Sequence, residues 1–359
     1  MKIDTLIVGQ GLAGSLLAWE LIARGQRVLV VDRDEAVTSS KVAAGIVTPI
    51  TGMRLAPTWR GEELWRYATA AYRRIETQTG QWLFRPIPIA RLLANDKEAL
   101  QWQKRLSQAA AELGEDRWPS GTVPLEIDTT IFHDQLGGFQ MPGAGWLDVP
   151  GFLEATRQYL LERLAYAIGR VDAEEISVTY EGVQWKNIEA GRVIFCQGWE
   201  GNRNRFFDWV PFRNAKGQIL DVECPGAAAE ERIINRAGWL LPMGGGRFRA
   251  GATYEWETPD DEATSTTPEG REEVEAKLRG MLKVPFTVTG HRAAVRPVIR
   301  ESRAMIGLHP SAELFERVGF FNGLGSKGVL NGPFFARQLA EHLVNGAPIE
   351  REVDLQKNF

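Results

Sequence analysis

The run Gly9-Gln10-Gly11-Leu12-Ala13-Gly14, followed by Asp32, has residue types and spacing suited to chemistry. It fits G-x-G-x-x-G, a weak signal alone and a strong one in context. An apolar stretch, Lys2–Val8, reads as a buried strand leading into the turn. Ser15–Arg24 then places Leu16, Leu17, Leu21 and Ile22 at helical spacing, and Arg27–Val31 reads as a second strand closing on Asp32. In such a unit Gly9 permits the tight turn. Gly11 removes a Cβ so that a pyrophosphate can approach the backbone, and Gly14 lets the helix sit on the strand. Free N–H groups of the helix start, at Leu12 and Ala13, favour the phosphates. Asp32, with Arg33 beside it, faces an adenosine ribose and disfavours a 2′-phosphate.

Two further segments bear on which dinucleotide this is. Ser39-Ser40-Lys41-Val42-Ala43-Ala44-Gly45-Ile46 is made mostly of small residues that let backbone press on a flat ring or a second phosphate. Near the other end, Gly323-Leu324-Gly325-Ser326-Lys327-Gly328, followed by Val329, opens a second helix after the apolar run Val318–Asn322. A second helix N-terminus with Lys327 suits the far end of a long cofactor and negative charge on a reduced flavin. On these residues alone NAD and FAD both stay open, the second turn weighing toward a flavin unless it is an ordinary strand–helix connection.

The elements that must position these residues fall into two kinds. Strand–helix signals sit at both ends of the chain, and alternating, turn-separated strand signals lie between them, at 216–222, 238–241, 247–253 and 286–292. Helices are expected at 61–79, at 96–113 with Asp96 as cap, at 148–164 behind Asp148 and Pro150, and at 268–282; 85–93 reads as a strand, and 257–267 as the most loop-like stretch. These signals predict an α/β fold whose second domain is built on an antiparallel sheet; the family that the motifs resemble implies, for the first, an FAD-binding Rossmann-like (glutathione-reductase-type) domain. The expected division is 1–80 plus 145–214 plus 297–359 for the discontinuous FAD-binding domain, and 81–144 plus 215–296 for the substrate domain.

Composition narrows the function classes. The chain has 359 residues, 44% hydrophobic and 25% charged, with a net charge of −4, which is globular and argues against a basic nucleic-acid surface. Two cysteines, Cys196 and Cys224, give no disulfide framework, and four scattered histidines give no metal spacing. No apolar run is long enough to span a membrane, and no signal peptide is read, so a cytoplasmic location is expected.

Taken together, these motifs resemble the FAD-dependent D-amino acid oxidase superfamily, which includes glycine oxidase, sarcosine oxidase and D-amino acid dehydrogenase. The resemblance covers most of the chain as spaced motifs: Gly9–Gly14 with Asp32, then Ser40–Ile46, Arg170-Val171-Asp172, Cys196-Gln197-Gly198-Trp199, Lys216-Gly217-Gln218-Ile219, Gly251-Ala252-Thr253, Val295-Arg296-Pro297 and Gly323–Gly328. The last is similar to the G-L-G-S-R-G turn in the oxidase domain of a bifunctional tRNA-modifying enzyme. No methyltransferase domain is read here, so the chain is not expected to be the whole of that enzyme. The resemblance implies a backbone contact to adenine at Val171 and cofactor contacts at Gly198 and Trp199. The absence of a Cys in 300–307 and of a His in 40–45 implies noncovalent FAD.

The family reaction removes two electrons from a C–N bond: hydride passes from the α-carbon of a neutral amine to flavin N5, and the imine is hydrolysed by water. Positioning then carries the catalysis, with near-attack geometry worth about 7–11 kcal/mol. The resemblance places a carboxylate-binding arginine at Arg296, with Arg292 and Arg300 as nearby competitors and Arg54 within reach from the small-residue loop. Trp239 and Tyr254 are candidate aromatic walls, and Thr48 a candidate hydrogen-bonding group. Oxygen is the expected electron acceptor. The alternatives are a dehydrogenase feeding a quinone or other carrier, an oxidase of a modified tRNA nucleoside, and a flavin-holding subunit active only with a partner.

Overall fold

The structure, a computed structural model, describes residues 1–113, 121–256, 262–299, 303–314 and 316–358. Parallel strands Tyr166–Ile168, Val28–Asp32, Lys2–Val8, Ile188–Phe195 and Val318–Asn322 lie side by side in that order. The hairpin strands Ser177–Thr179 and Gly182–Trp185 and the strand Met305–Leu308 join the same sheet antiparallel. In the interior strands Lys2–Val8 and Val28–Asp32, residues 6–8 and 28–31 are apolar and buried on both faces, as a sheet covered on both sides requires.

A sheet of nine strands among the described residues carries the middle of the chain. Thr287–Arg296, Ala215–Glu223, Arg247–Gly251, Gly238–Gly244 and Ile233–Arg236 follow one another antiparallel. One pairing departs from the antiparallel expectation: Ile233–Arg236 runs parallel to Ile89–Leu92. The stretch 85–93, expected as one strand, is split. Phe84–Pro86 joins a three-stranded sheet with Gly145–Leu147 and Ile46–Val47, and Ile89–Leu92 enters the nine-stranded sheet. Pro86 and Pro88 flank the break, and neither can donate a ladder hydrogen bond.

Local chemistry explains the helix ends. Asp148 caps Val149–Leu161, accepting from Gly151 N at 3.2 Å, and Thr267 caps Pro268–Met281, accepting from Gly270 N at 3.0 Å. The cap of Asp96–Leu113 is Asn95 rather than Asp96: Asn95 Oδ1 accepts from Glu98 N at 3.0 Å, so Asp96 is the first helical residue. Of the loop-like stretch 257–267, residues 257–261 lie outside the described residues.

The two helices that follow the glycine turns, Leu12–Ile22 and Gly328–Asn345, pack on each other. A Cβ on Gly332 would lie 2.7 Å from Leu16 Cδ1, and one on Gly328 would lie 3.0 Å from Leu12 Cδ2, so these glycines let the helices approach. The second helix contains Pro333, which has no N–H for the carbonyl of Val329 four residues back. The fully buried Tyr72, on the helix Gly61–Thr79, donates its hydroxyl to that carbonyl at 2.8 Å. A buried carbonyl left unpaired costs about 1–3 kcal/mol. Tyr72→Phe is therefore expected to lower unfolding stability by that amount in thermal or denaturant melts. Adding Pro333→Ala, which restores an N–H, should recover part of the loss. Additive losses in the double variant would show that the hydroxyl does not serve this carbonyl.

Candidate active site

One large cavity, ≈ 1080 Å³, opens where the parallel strands end and runs on across the face of the nine-stranded sheet. Both glycine turns line it: Gly9, Gly11, Leu12 and Ala13 from one, and Leu324, Gly325, Ser326, Lys327, Gly328 and Val329 from the other. Asp32, Arg33, Ser40, Ala44, Gly45, Ile46, Val171, Gly198 and Trp199 complete that end. Neither helix carries a capping side chain on its own N-cap residue, Gly11 or Lys327, so two helix starts face the cavity with amide N–H groups and partial positive charge.

Close backbone approaches build the first turn. Gly9 has φ 103°, and a Cβ there would sit 2.5 Å from Cys196 O; one on Gly14 would sit 1.9 Å from Gly9 O. Gly14 is thus a packing residue outside the lining. Gly323 is another: its Cβ would meet Ile299 Cδ1 at 2.5 Å. Asp32 braces the turn, accepting from Gln10 N at 2.6 Å through Oδ2 and from Asp34 N at 2.8 Å through Oδ1. Contrary to expectation the Leu12 amide is not free: Ser40 Oγ accepts from Leu12 N at 3.0 Å, tying the small-residue segment to the helix start. Ala44 and Gly45 are strapped to the strand Gly145–Leu147 by Trp146 Nε1 donating to Ala44 O at 2.8 Å and Leu147 N donating to Gly45 O at 3.0 Å.

Lys41 departs from expectation. It lies outside the lining, because its ammonium turns to Asp34 Oδ1 at 3.4 Å and to the Glu35 carbonyl. Arg33 pairs with Glu200 and, at 3.2 Å, with Glu35. Lys327 is half-buried in the lining, and loss of solvent pushes its ammonium below the usual lysine range. Asn322 carries no motif and was not expected. Buried, it donates through Nδ2 to Gly198 O at 2.7 Å and accepts at Oδ1 from Gly323 N at 2.8 Å, fastening two lining turns together.

On the sheet side, Arg296, Trp239, Tyr254 and Thr48 all line the cavity. The Arg296 guanidinium lies on Gly217, where an added Cβ would come within 2.0 Å of Nη2. It donates to Lys216 O and Thr253 O, each at 3.3 Å, and stands 4.8 Å from the Tyr254 ring centroid. Among the described residues it makes no ion pair. Burial pulls the guanidinium below its usual value, and Tyr254 and Glu255 oppose that shift.

The competitors are placed elsewhere. Arg292 pairs with Asp221 at 2.7 Å, and Arg300 lies outside the described residues. Arg54 is exposed and off the lining, so the expected reach into the cavity is not seen. The Thr48 hydroxyl donates to Ile50 O at 2.8 Å, a turn contact. His291 and His309 lie off the lining, and burial holds both below the usual histidine value. Arg91, Glu98 and Asn235 also line this end, without any motif to announce them.

The arrangement suits a long, doubly anionic dinucleotide with a flat ring at one end: two helix starts facing the cavity, a strand-end carboxylate, and walls of small residues. Comparison with known proteins agrees. Residues 4–342 match the family model described as FAD dependent oxidoreductase (DAO), and the chain belongs to that family. It is an FAD-dependent oxidoreductase.

Its relatives include the tRNA 5-methylaminomethyl-2-thiouridine biosynthesis bifunctional protein MnmC of Paraburkholderia phymatum, 26% identical over 84% of this chain and 48% of that one. A glycine oxidase of Pseudomonas aeruginosa is 24% identical over 97% of each chain. The chain spans about half the length of the MnmC relatives it matches. Among solved structures, iminodiacetate oxidase from Chelativorans sp. BNC1 superposes with TM-score 0.76 at 20% identity, covering 97% and 96% of the two chains. Glycine oxidase from Geobacillus kaustophilus gives 0.76 at 17%, with the same coverage. No helix among the described residues is long and apolar enough to cross a membrane.

The Gly217 contact yields a test. Gly217→Ala should push the guanidinium off its seat while leaving the glycine turns untouched. FAD loading, read from the visible spectrum, is expected to persist, while affinity for carboxylate ligands falls at least tenfold. Unchanged carboxylate affinity would show that the seat does not position Arg296.

Proposed function

We propose that the chain oxidises a C–N bond of an amino acid or related amine that carries a carboxylate, with the two domains divided as the sequence suggests and FAD held noncovalently between the two glycine turns. The observation that carries this reading is Arg296: a largely buried cation without an ion-pair partner among the described residues, in the same cavity as both turns. A buried charge left unpaired is costly, so the site favours a ligand that brings the opposite charge. A guanidinium's forked donors suit a carboxylate.

FAD held between the two turns would supply the two-electron acceptor, taking the α-carbon hydrogen as a hydride with its electron pair, and water would hydrolyse the imine left behind. The chain's own residues orient and enclose. Arg296 fixes the carboxylate end, Tyr254 stacks on its guanidinium, and Trp239 walls the far side. Lys327 and the two helix starts favour negative charge at the cofactor end. No described lining residue is a histidine, and Glu98 is engaged by Arg91, so the amine is taken to enter in its neutral form. Oxygen as acceptor is supported by the likeness to glycine oxidase along both whole chains. A cytoplasmic setting is supported by two free, buried cysteines.

A panel of glycine, N-methyl amino acids, D-amino acids and L-amino acids, scored by anaerobic bleaching of the flavin, tests the reaction. At least one class should bleach it, with kcat/KM rising with pH as the amine loses its proton. Air should restore the colour quickly; slow recovery beside fast dye reduction would favour the carrier-linked dehydrogenase. Arg296→Ala should retain FAD and raise KM for the carboxylated substrate, losing about 3–5 kcal/mol of binding. Unaltered kinetics in that variant would place the anchor elsewhere.

A further inference from the structure

The cavity lining carries a polar patch for which the proposed reaction has no use. Arg91 and Asn235 stand opposite each other on adjacent strands, Asn235 stands opposite Trp239 on the next, and all three line the cavity. Arg91 Nη2 donates to Glu98 Oε1 at 2.7 Å, with both side chains nearly buried at 11% and 3% exposure. Glu98 Oε2 is engaged by Ala94 N at 3.1 Å. Arg91 Nη1 donates to Asn235 Oδ1. That bond fixes the amide orientation: with Oδ1 held by a guanidinium, Asn235 must turn its Nδ2 group away from it. Asn235 is half-buried, and among the described residues its Nδ2 has no acceptor.

The patch therefore offers hydrogen-bond donors on a surface whose charge is already balanced, since Glu98 neutralises Arg91. Such a surface favours a neutral acceptor over a second anion. Its distance from the anchor is set by the sheet. Arg296 sits on Gly217, and the strands 215–223, 247–251, 238–244 and 233–236 lie side by side. Three steps at ~4.8 Å put the Asn235 column about 14 Å from that of Gly217, beyond the reach of an unsubstituted amino acid. Trp239 occupies the column between and offers a flat apolar wall to whatever bridges the gap.

We propose that the Arg91–Asn235–Glu98 patch is a second substrate subsite, receiving the uncharged, carbonyl-bearing end of an extended substituent, so that the substrate is an N-substituted amino acid rather than one of glycine size. This rests on reading Arg296 as the carboxylate anchor.

The test uses FAD-loaded protein and alkoxyacetic acids, in which an ether oxygen replaces the amine nitrogen and no oxidation occurs. The tails, of graded length, end in methyl, carboxamide or carboxylate. Dissociation constants are measured by calorimetry. At one tail length the carboxamide end should bind about tenfold more tightly than the methyl end, as two neutral hydrogen bonds permit, and the carboxylate end should show no such gain. In Asn235→Leu, which leaves the Arg91–Glu98 pair in place, the ratio of carboxamide to methyl affinity should fall to near one. That ratio is internal to each variant, so general damage to the site cancels. Equal affinity for the two ends in the wild-type protein, or an undiminished ratio in Asn235→Leu, would overturn the subsite. Failure of the anchor reading shows differently: the end-group preference would persist while Arg296→Met bound every member as tightly as the wild-type protein does.

Discussion

What sets the two glycine turns side by side is a contact between helices from opposite ends of the chain. Leu12 and Leu16 nest against Gly328 and Gly332, and the strands preceding both helices run parallel in one sheet, so both helix starts open on the same edge. A side chain at either glycine would force the axes apart and swing one set of amide groups off the cavity. The rest of the site leans on this approach. Asn322 can fasten Gly198 to Gly323 only because the strand ending at Phe195 is paired with the strand ending at Asn322. Tyr72 steadies the first turn of the second helix at the carbonyl that Pro333 leaves open.

Different physics governs the two ends of the cavity. At the glycine-turn end any attraction for an anion comes from backbone, the helix starts and their dipoles, with side chains mostly kept small. At the substrate end it comes from side chains on a sheet, where each position is set by strand register. Arg296 is held by two carbonyls, an aromatic face and a glycine seat, none of which cancels its charge. Arg91 is cancelled by Glu98. One cavity thus holds an arginine with no ion-pair partner among the described residues and another paired with a carboxylate.

The convergence of the two turns on one end of the cavity was legible in the sequence because tight strand–helix turns need glycines at fixed offsets, and the Gly9–Gly14 and Gly323–Gly328 runs carry those offsets on their face. Side chains were read less well. Lys41 lies within a recognisable segment, yet its long stem bends to Asp34 and Glu35, a choice that spacing does not encode. Arg54 follows the same segment and turns to solvent. Asn322, Arg91 and Asn235 were missed because each owes its place to partners distant in the chain: Asn322 to Gly198, and Arg91 to Asn235 across a parallel pairing that no local pattern announces. The break at Pro86–Pro88 hid that pairing further, by joining two strands of different sheets into one apparent run.

Amide hydrogen exchange, followed peptide by peptide as FAD is added to FAD-free protein, tests the convergence of the two turns most directly. Peptides covering 9–16 and 323–331 are predicted to slow together and to saturate at the same FAD concentration. Slowing confined to the first segment, with the second exchanging as freely as before, would mean that only one helix start meets the cofactor and would contradict the account.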